Sequence, residues 1–520
     1  MHLNHGQVEV TNVGKQSLLK GTIILAVAAC YSKLIGFING IVLSRLLGPE
    51  GIGLAMMAMP ITGLLIAITG FGLEVAVANL VAENNASNNR TRLRHVLSIS
   101  FLITGTLSVV TSLLLLGLIH YVPGLLFADE RAIYTFTAII PIIPIVAISS
   151  ILKGYFHGKQ YMSPGAFASI LEQSVQLVVT YMLVQYLLPY GLGVAAAGAV
   201  ISMVIGEAIS LGVLIVAFNR QREFKWRFFH IIRDLVRDGK QHTRDLIRVA
   251  LPNTGSHLVN SFAGVLLPII ITHSFLTAGL TAETATETYG LLMGYVMPLV
   301  FVPTFITHSL STNLLPSISD LYARRQFQQM YSNINQVINV TMMICIPWAL
   351  FLYFFATDLT SLFYHSEEAG LLIQKMIFCF MLSYLQIPLQ AVLIGIGKSS
   401  VVLYNNLIAA LVSLLMIYFV ASQPSMGVNG VILGLNLGEV LGTVLHFASL
   451  YQAVRFPFSF ARFYKLLIAI TCMASCAIFL YMTLDSYISN GYVLLSSVLL
   501  VSASFYLLLL HRFRLFKQEL

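Results

Sequence analysis

Charge is what this sequence has least of. Lys, Arg, Asp and Glu supply 10% of the 520 residues, while hydrophobic residues supply 57%. Soluble domains carry about 25% charged residues, so a soluble globular chain is excluded, and the mean hydropathy of +0.84 agrees. Charge this sparse, set between apolar runs of about 20 residues, specifies a polytopic membrane protein. Cysteine is scarce too. The five thiols, Cys30, Cys345, Cys379, Cys472 and Cys476, all fall inside apolar runs, where a small apolar side chain is at home. Cys472 and Cys476 share a helix face, but no His or carboxylate joins them, so no metal site is expected. The sequence also lacks a complete phosphate-binding loop, a nucleophile elbow and an HExxH pattern; Gly158-Lys159 and Gly397-Lys398 are fragments without the rest of the loop. These absences argue against a built-in ATPase, a cofactor or an enzyme activity. A cleavable leader is not expected either. Residues 1–17 are polar, and Lys15 and Lys20 lead into an apolar run without a small-residue cleavage site.

What is present is apolar and continuous. Runs without strict alternation predict helices rather than a barrel. About fourteen spans are expected, near 19–44, 53–82, 96–120, 132–156, 165–188, 193–219, 246–276, 285–312, 330–356, 369–396, 401–421, 427–451, 464–483 and 490–511. The loops between them sort by charge. One set carries Arg90, Arg92, Arg94, Lys153, Lys159, Arg324, Arg325, Lys398, Arg455, Arg462, Lys465, Arg512, Arg514 and Lys517; the other carries only Arg45 and Arg131 and collects Glu50, Asp129, Glu130, Glu283, Glu287, Asp358, Glu367, Glu368 and Asp485. The bias predicts a cell-membrane protein with both termini in the cytoplasm. The net charge of +8 then faces anionic membrane lipids, and no nucleic acid is implied. The longest polar stretch, 219–248, holds nine basic residues from Arg220 to Arg248. It reads as a basic linker and topology anchor, the seam between two halves.

The halves repeat. Gly198 and Gly206-Glu207 recur as Gly430 and Gly438-Glu439, each 232 residues further on. Gly158-Lys159 matches Gly397-Lys398, and Asn79-Leu80 matches Asn313-Leu314. An even number of crossings separates the counterparts, so the repeat is parallel, as in transporters whose bundles rock about a central site. The expected fold is all-α: two six-helix lobes (19–219 and 246–455) with an N-terminal tail (1–18), the linker (220–245), and two further helices with a tail (456–520). Gly36, Gly40, Pro60, Gly63, Gly70 and Gly72 in the first two spans, and Pro252, Gly255, Gly264, Pro268, Gly290, Gly294, Pro298 and Pro303 in the seventh and eighth, mark breaks at matching places. Such breaks point to a transport path or to tight helix packing.

Charges inside the spans are the candidate site. A charge at mid-membrane costs about 2.5–3.5 kcal/mol on insertion scales and is rarely kept without use. Lys33 stands near the middle of the first span, where its ammonium would hold a phosphate or pair with Glu74. Glu172 and the repeat-related Glu207 and Glu439 are candidate coupling carboxylates or structural hydrogen-bond partners. Lys375 sits near a span end, where it would snorkel. His157, His257, His273 and His308 have no metal-ligand spacing and read as helix-end or cavity polar groups.

Several stretches are similar to a known family: SLLKGTIILAVAACYSKLIGFINGIVLSRLLGPEGIGL (17–54), ANLVAENNASNNR (78–90), LKGYFHGKQYMSPGAFASILEQ (152–173) and YGLLMGYVMPLVFVPTFITHSLSTNLLPSISD (289–320). They resemble the stage V sporulation protein B-like branch of the multidrug/oligosaccharidyl-lipid/polysaccharide exporter superfamily, in order and across nearly the whole chain. The resemblance implies two lobes in a V around a cavity, and flipping of an undecaprenyl-diphosphate-linked saccharide, a peptidoglycan precursor for the spore cortex. It implies that Lys33 and Arg45 occupy basic positions of the substrate site, and Asn39 is taken as a third substrate-binding candidate. Relatives carry a further arginine around Asn39-Gly40 and a basic residue within 289–298, and this chain has neither. Two other readings compete: cation-coupled export of amphipathic drugs, and a non-transporting scaffold that recruits cell-wall synthases.

Overall fold

The computed structural model describes residues 18–70, 72–86, 90–119, 121, 127–221, 258, 261–455, 460–513 and 515. The N-terminal tail, most of the basic linker (Arg222–Arg248), Pro252, Gly255, His257, Arg514 and Lys517 lie outside them. The described residues form helices and no strands. In chain order these are α1 (Leu18–Gly70), α2 (Leu73–Ala86), α3 (Arg90–Gly117), α4 (Ala132–Gly158), α5 (Ser163–Leu187), α6 (Leu192–Gln221), α7 (Ser261–Thr277), α8 (Ala282–Val300), α9 (Thr304–Ala323), α10 (Phe327–Tyr364), α11 (Glu367–Gly395), α12 (Ser399–Ala421), α13 (Gly427–Val454), α14 (Phe460–Leu484) and α15 (Gly491–Arg512). Eleven helices are long and apolar enough to cross a membrane, or twelve when the bent pair α8–α9 counts as one. The expected count of about fourteen is therefore not reproduced among the described residues. The first candidate stretch, Ile23–Asn84, covers 62 residues, including the Gly48 kink and the step from α1 to α2, and is counted once, and α7 falls below the length needed.

Breaks occur where the backbone demands them, and not at every glycine of the first spans. Gly36 and Gly40 lie within continuous helix. The kink of α1 is at Gly48, with φ 65° and ψ −179°, a conformation open to a residue without Cβ. Pro49 follows at the start of the second piece, where its missing N–H costs nothing. Gly72, at φ 59°, separates α1 from α2. In α8 a π-helical turn spans Leu291–Val296, and α8 and α9 meet at a 57° bend.

Three apolar cores place the helices. One is shared by both halves and includes Leu54 of α1, Ile143 of α4, Val200 of α6, Leu292 of α8, Phe355 of α10 and Ile377 of α11. The other two are separate. Val77, Leu97, Tyr155 and Phe218 join α2, α3, α4 and α6, while Ile318, Met330, Leu393, Leu450 and Ile470 join α9, α10, α11, α13 and α14. The two separate cores lie at the end where α6 runs into the linker. The shared core thus joins the halves at the far end, while at the seam end each half has a core of its own.

The far-end joint depends on close backbone approach. A Cβ at Gly53 would collide with the Thr286 carbonyl, one at Gly290 with the Pro49 carbonyl and Gly53, and one at Gly294 with Ile52. Polar contacts lock the same joint. The Tyr295 hydroxyl donates to the Ser44 carbonyl at 3.1 Å. The Thr286 hydroxyl donates to Asp129 at 3.2 Å. Asp129 is 4% exposed and takes a bidentate grip from Arg131 (2.6 and 3.0 Å), and Arg131 also reaches Glu50 at 2.7 Å. Burial by itself would raise the Asp129 pKa. The hydrogen bonds from the Arg131 side chain and backbone, its charge, and the Thr286 hydroxyl outweigh this and hold it below the usual aspartate value.

Gly290→Leu overpacks this joint, which costs about 1–3 kcal/mol, enough to shift a closed-to-open equilibrium 5- to 150-fold. A single cysteine at Ser44, with the five native thiols replaced, is then expected to react faster with an impermeant maleimide; an unchanged rate contradicts the joint's role in closure. A group with a depressed pKa stabilises above its unfolded value and loses that contribution as pH falls through the folded one. The Asp129 contribution is accordingly complete at neutral pH and fades only below 3.8. Asp129→Asn should lower the unfolding temperature by a constant amount between pH 8 and pH 5, and the gap to wild type should narrow below that value; a gap that already closes between pH 7 and pH 5 rules this out.

Candidate functional site

The seam-ward part of α1 packs on α5. The Tyr31 and Ser174 hydroxyls lie 3.0 Å apart, the Ser32 hydroxyl donates to the Ser169 carbonyl, and Gly36 backs onto Gln173. Lys33 is exposed and shares a face with Phe37, four residues on. Phe37 meets Phe363 of α10 edge-on, at 5.8 Å between centroids. Lys33 therefore stands one turn from the Phe37–Phe363 contact with the second half, and no described residue forms an ion pair with it. The alternative pairing with Glu74 is not made, because Glu74 lies 3.7 Å from Nδ1 of His157.

Behind this wall the carboxylates of the first half cluster. Glu207 of α6, 7% exposed, is 3.5 Å from the ammonium of Lys153 on α4. Glu172 of α5 is in side-chain contact with Glu207 and accepts from Gln173 at 3.4 Å. Lys153, grouped from sequence with the loop charges although it falls near the end of the expected fourth span, lies inside α4, with its side chain 25% exposed. Lys153 and His157 are one turn apart on one helix face and serve Glu207 and Glu74 respectively. A basic pair spaced i, i+4 inside an apolar run was the signal available for them.

In the second half Glu439 accepts from the Gln386 side chain at 2.8 Å, and that amide also reaches the Glu439 carbonyl at 2.9 Å. The repeat-related glutamates are thus held from corresponding helices, α4 and α11, by a cation in one half and an amide in the other. Gln386 opens the second piece of α11, and no charge pattern advertised it.

The remaining candidates stand apart. Arg45 is at the far end. Its guanidinium donates to the Leu362 and Phe363 carbonyls at the C-terminal end of α10 (2.7 and 3.0 Å) and to the Tyr492 hydroxyl at 2.7 Å, where unsatisfied helix carbonyls favour a cation. It lines a cavity of about 330 Å³ with Ser44, Glu287, Tyr295, His365 and Glu368. Asn39 is 8% exposed, and its side-chain oxygen has no hydrogen-bond partner among the described residues. Lys375 donates to Asn429 at 2.9 Å. The site geometry thus brings Glu172 and Glu207 together, sets Glu74 on His157, leaves Lys33 exposed on α1, and places Arg45, Lys375 and Glu439 elsewhere.

Comparison with known proteins agrees with this architecture. Residues 18–322 match the family described as polysaccharide biosynthesis protein, and residues 292–420 match MatE. Stage V sporulation protein B of Bacillus subtilis (strain 168) is 36% identical over 98% of this chain and 97% of its own length. Among solved structures, a lipid II flippase in an inward closed conformation superposes with a TM-score of 0.70 at 15% identity, covering 94% of this chain and 98% of that one. An inward-facing multidrug resistance transporter gives 0.66 at 18% identity, covering 84% and 98%. This multi-pass membrane protein belongs to the polysaccharide biosynthesis protein family.

Proposed function

We propose that the protein is an alternating-access flippase that carries a polyprenyl-diphosphate-linked saccharide, a peptidoglycan precursor for the spore cortex, across the cell membrane. What supports this reading is one shared core at the far end beside separate cores at the seam end, read as a cleft closed at the first and open at the second, together with the exposed ammonium of Lys33, which no described residue pairs. An ammonium is a point charge that holds phosphate, and a cleft between helices lets the saccharide enter while the isoprenoid tail stays in lipid. The basic seam end is cytoplasmic, both termini included. Two lobes, 19–219 and 246–455, rock about the joint: the seam end closes, the Gly53–Gly290 contact and the Asp129–Thr286 hydrogen bond part, and the load leaves at the far end. The relatives carry names consistent with this substrate class, lipid II for the flippase and sporulation for the Bacillus protein.

Glu74, Glu172, Glu207 and Glu439 supply the coupling. Two carboxyls in contact, as Glu172 and Glu207 are, repel unless a proton or cation lies between them. Gain or loss of that ion changes how α4, α5 and α6 pack. Arg45 and Asn39 complete the substrate path: Arg45 at the far-end cavity, where the diphosphate exits, and Asn39 with its free carbonyl oxygen beside the route.

In reconstituted liposomes, an external reagent should reach lipid-linked peptidoglycan precursor in proportion to transport. Lys33→Ala is expected to lower the rate at least about tenfold, the worth of about 1.4 kcal/mol of phosphate binding, and Lys33→Arg to keep most of it. Normal exposure with Lys33→Ala, together with loss on neutralising the seam, would turn the assignment to a scaffold for cell-wall synthases. Glu207→Gln should abolish stimulation by an imposed ion gradient while leaving downhill flipping intact; full stimulation in that variant removes the carboxylates from coupling.

A further inference from the structure

A second cavity, of about 520 Å³, lies outside the cleft, between the start of α5 and the end of α6 at the seam end. Tyr161, Ser163 and Phe167 line one side; Gly212, Val216 and Arg220 line the other. Gly212, Val216 and Arg220 recur at i, i+4 and i+8, so they share one face of α6 and form a strip about 12 Å long from the helix end into the span. The strip is apolar except at its mouth. Phe167 and Val216 are more than half exposed, and a Cβ added at Gly212 would meet nothing within 4 Å. At the mouth, the Arg220 guanidinium is exposed and pairs with no carboxylate among the described residues. A cation at the polar end of an apolar groove that opens sideways into the membrane complements a lipid, with the phosphate at the mouth and the chain along the floor.

We infer that the α5–α6 groove is a binding site for an anionic phospholipid, whose phosphodiester is held by Arg220 and whose acyl chain lies over Gly212. The ligand is a lipid rather than free phosphate, because the α6 floor below Arg220 is made of Gly212, Val213, Val216 and Ala217, which suit an acyl chain and offer an ion nothing. Net negative charge is favoured because the lining of the cavity carries Arg220 and no acidic residue. A basic residue near an anionic membrane surface contributes about a fivefold gain in binding.

Full-length protein, purified in detergent and titrated with phosphatidylglycerol or phosphatidylcholine, tests this by native mass spectrometry of retained lipid. Wild type is expected to retain phosphatidylglycerol in preference to phosphatidylcholine. Arg220→Ala should weaken phosphatidylglycerol retention about fivefold and Arg220→Lys should restore much of it. Gly212→Leu, which fills the floor on a helix that tolerates leucine, should reduce retention of both lipids. Arg324→Ala, which removes a cation already paired with Asp320 at 2.9 Å, should change nothing. Equal retention of the two lipids by wild type overturns the assignment. So does an Arg324→Ala loss as large as that of Arg220→Ala, which would mean general surface charge, and so does a Gly212→Leu variant that binds as wild type.

Discussion

Two backbones touching at the far end set the geometry of everything else. Gly53 and Gly290 let α1 and α8 approach until only hydrogens separate carbonyl from Cα. In a membrane, apolar side chains gain little by facing each other rather than lipid tails, so helices associate through close packing and buried hydrogen bonds. Small residues give the first, and the Asp129–Thr286 and Tyr295–Ser44 hydrogen bonds give the second. Both are short-range interactions confined to one end, which is why the shared core ends there and the seam-end cores stay separate.

The cleft that results explains how charges are distributed inside the spans. An ionised group surrounded by hydrocarbon needs a partner, and the interior carboxylates have one: Glu207 has Lys153, Glu74 has His157, and Glu439 has the Gln386 amide. Lys33 has no such partner among the described residues and is exposed. A cation left unpaired beside a cleft attracts an anion, whereas a paired one mainly positions helices. That difference, rather than the number of charges in each half, separates a residue suited to gripping a phosphate from residues suited to sensing an ion. Arg45 is held as well as placed: its guanidinium meets three oxygen acceptors that join the halves while it lines the far-end cavity.

Much of the fold was legible because composition and periodicity act locally. The all-helical class, the membrane setting and the Gly72 and α8–α9 breaks follow from apolar runs and from glycine and proline. The kink at Gly48 was hidden by the apparent loop between two spans, and Gly36 and Gly40 suggested breaks that the helix does not make, because nothing there asks for positive φ. Lys153 was misplaced among loop charges because its neighbours Gly154 and Lys159 look like a helix exit. Only the packing of α4 on α6 reveals it as the partner of Glu207.

By itself, then, the sequence determined the solvent, the helix type, the sign of charge at each end and the residues able to carry charge into the membrane. These depend on transfer free energy and on neighbours within a turn or two. Which charge is paired, which stands free, and which end of the molecule is shut were decided by the tertiary structure. Those outcomes turn on contacts a few ångströms long between residues as far apart as 54 positions for Lys153 and Glu207 and 251 for Ser44 and Tyr295, and no local pattern encodes them.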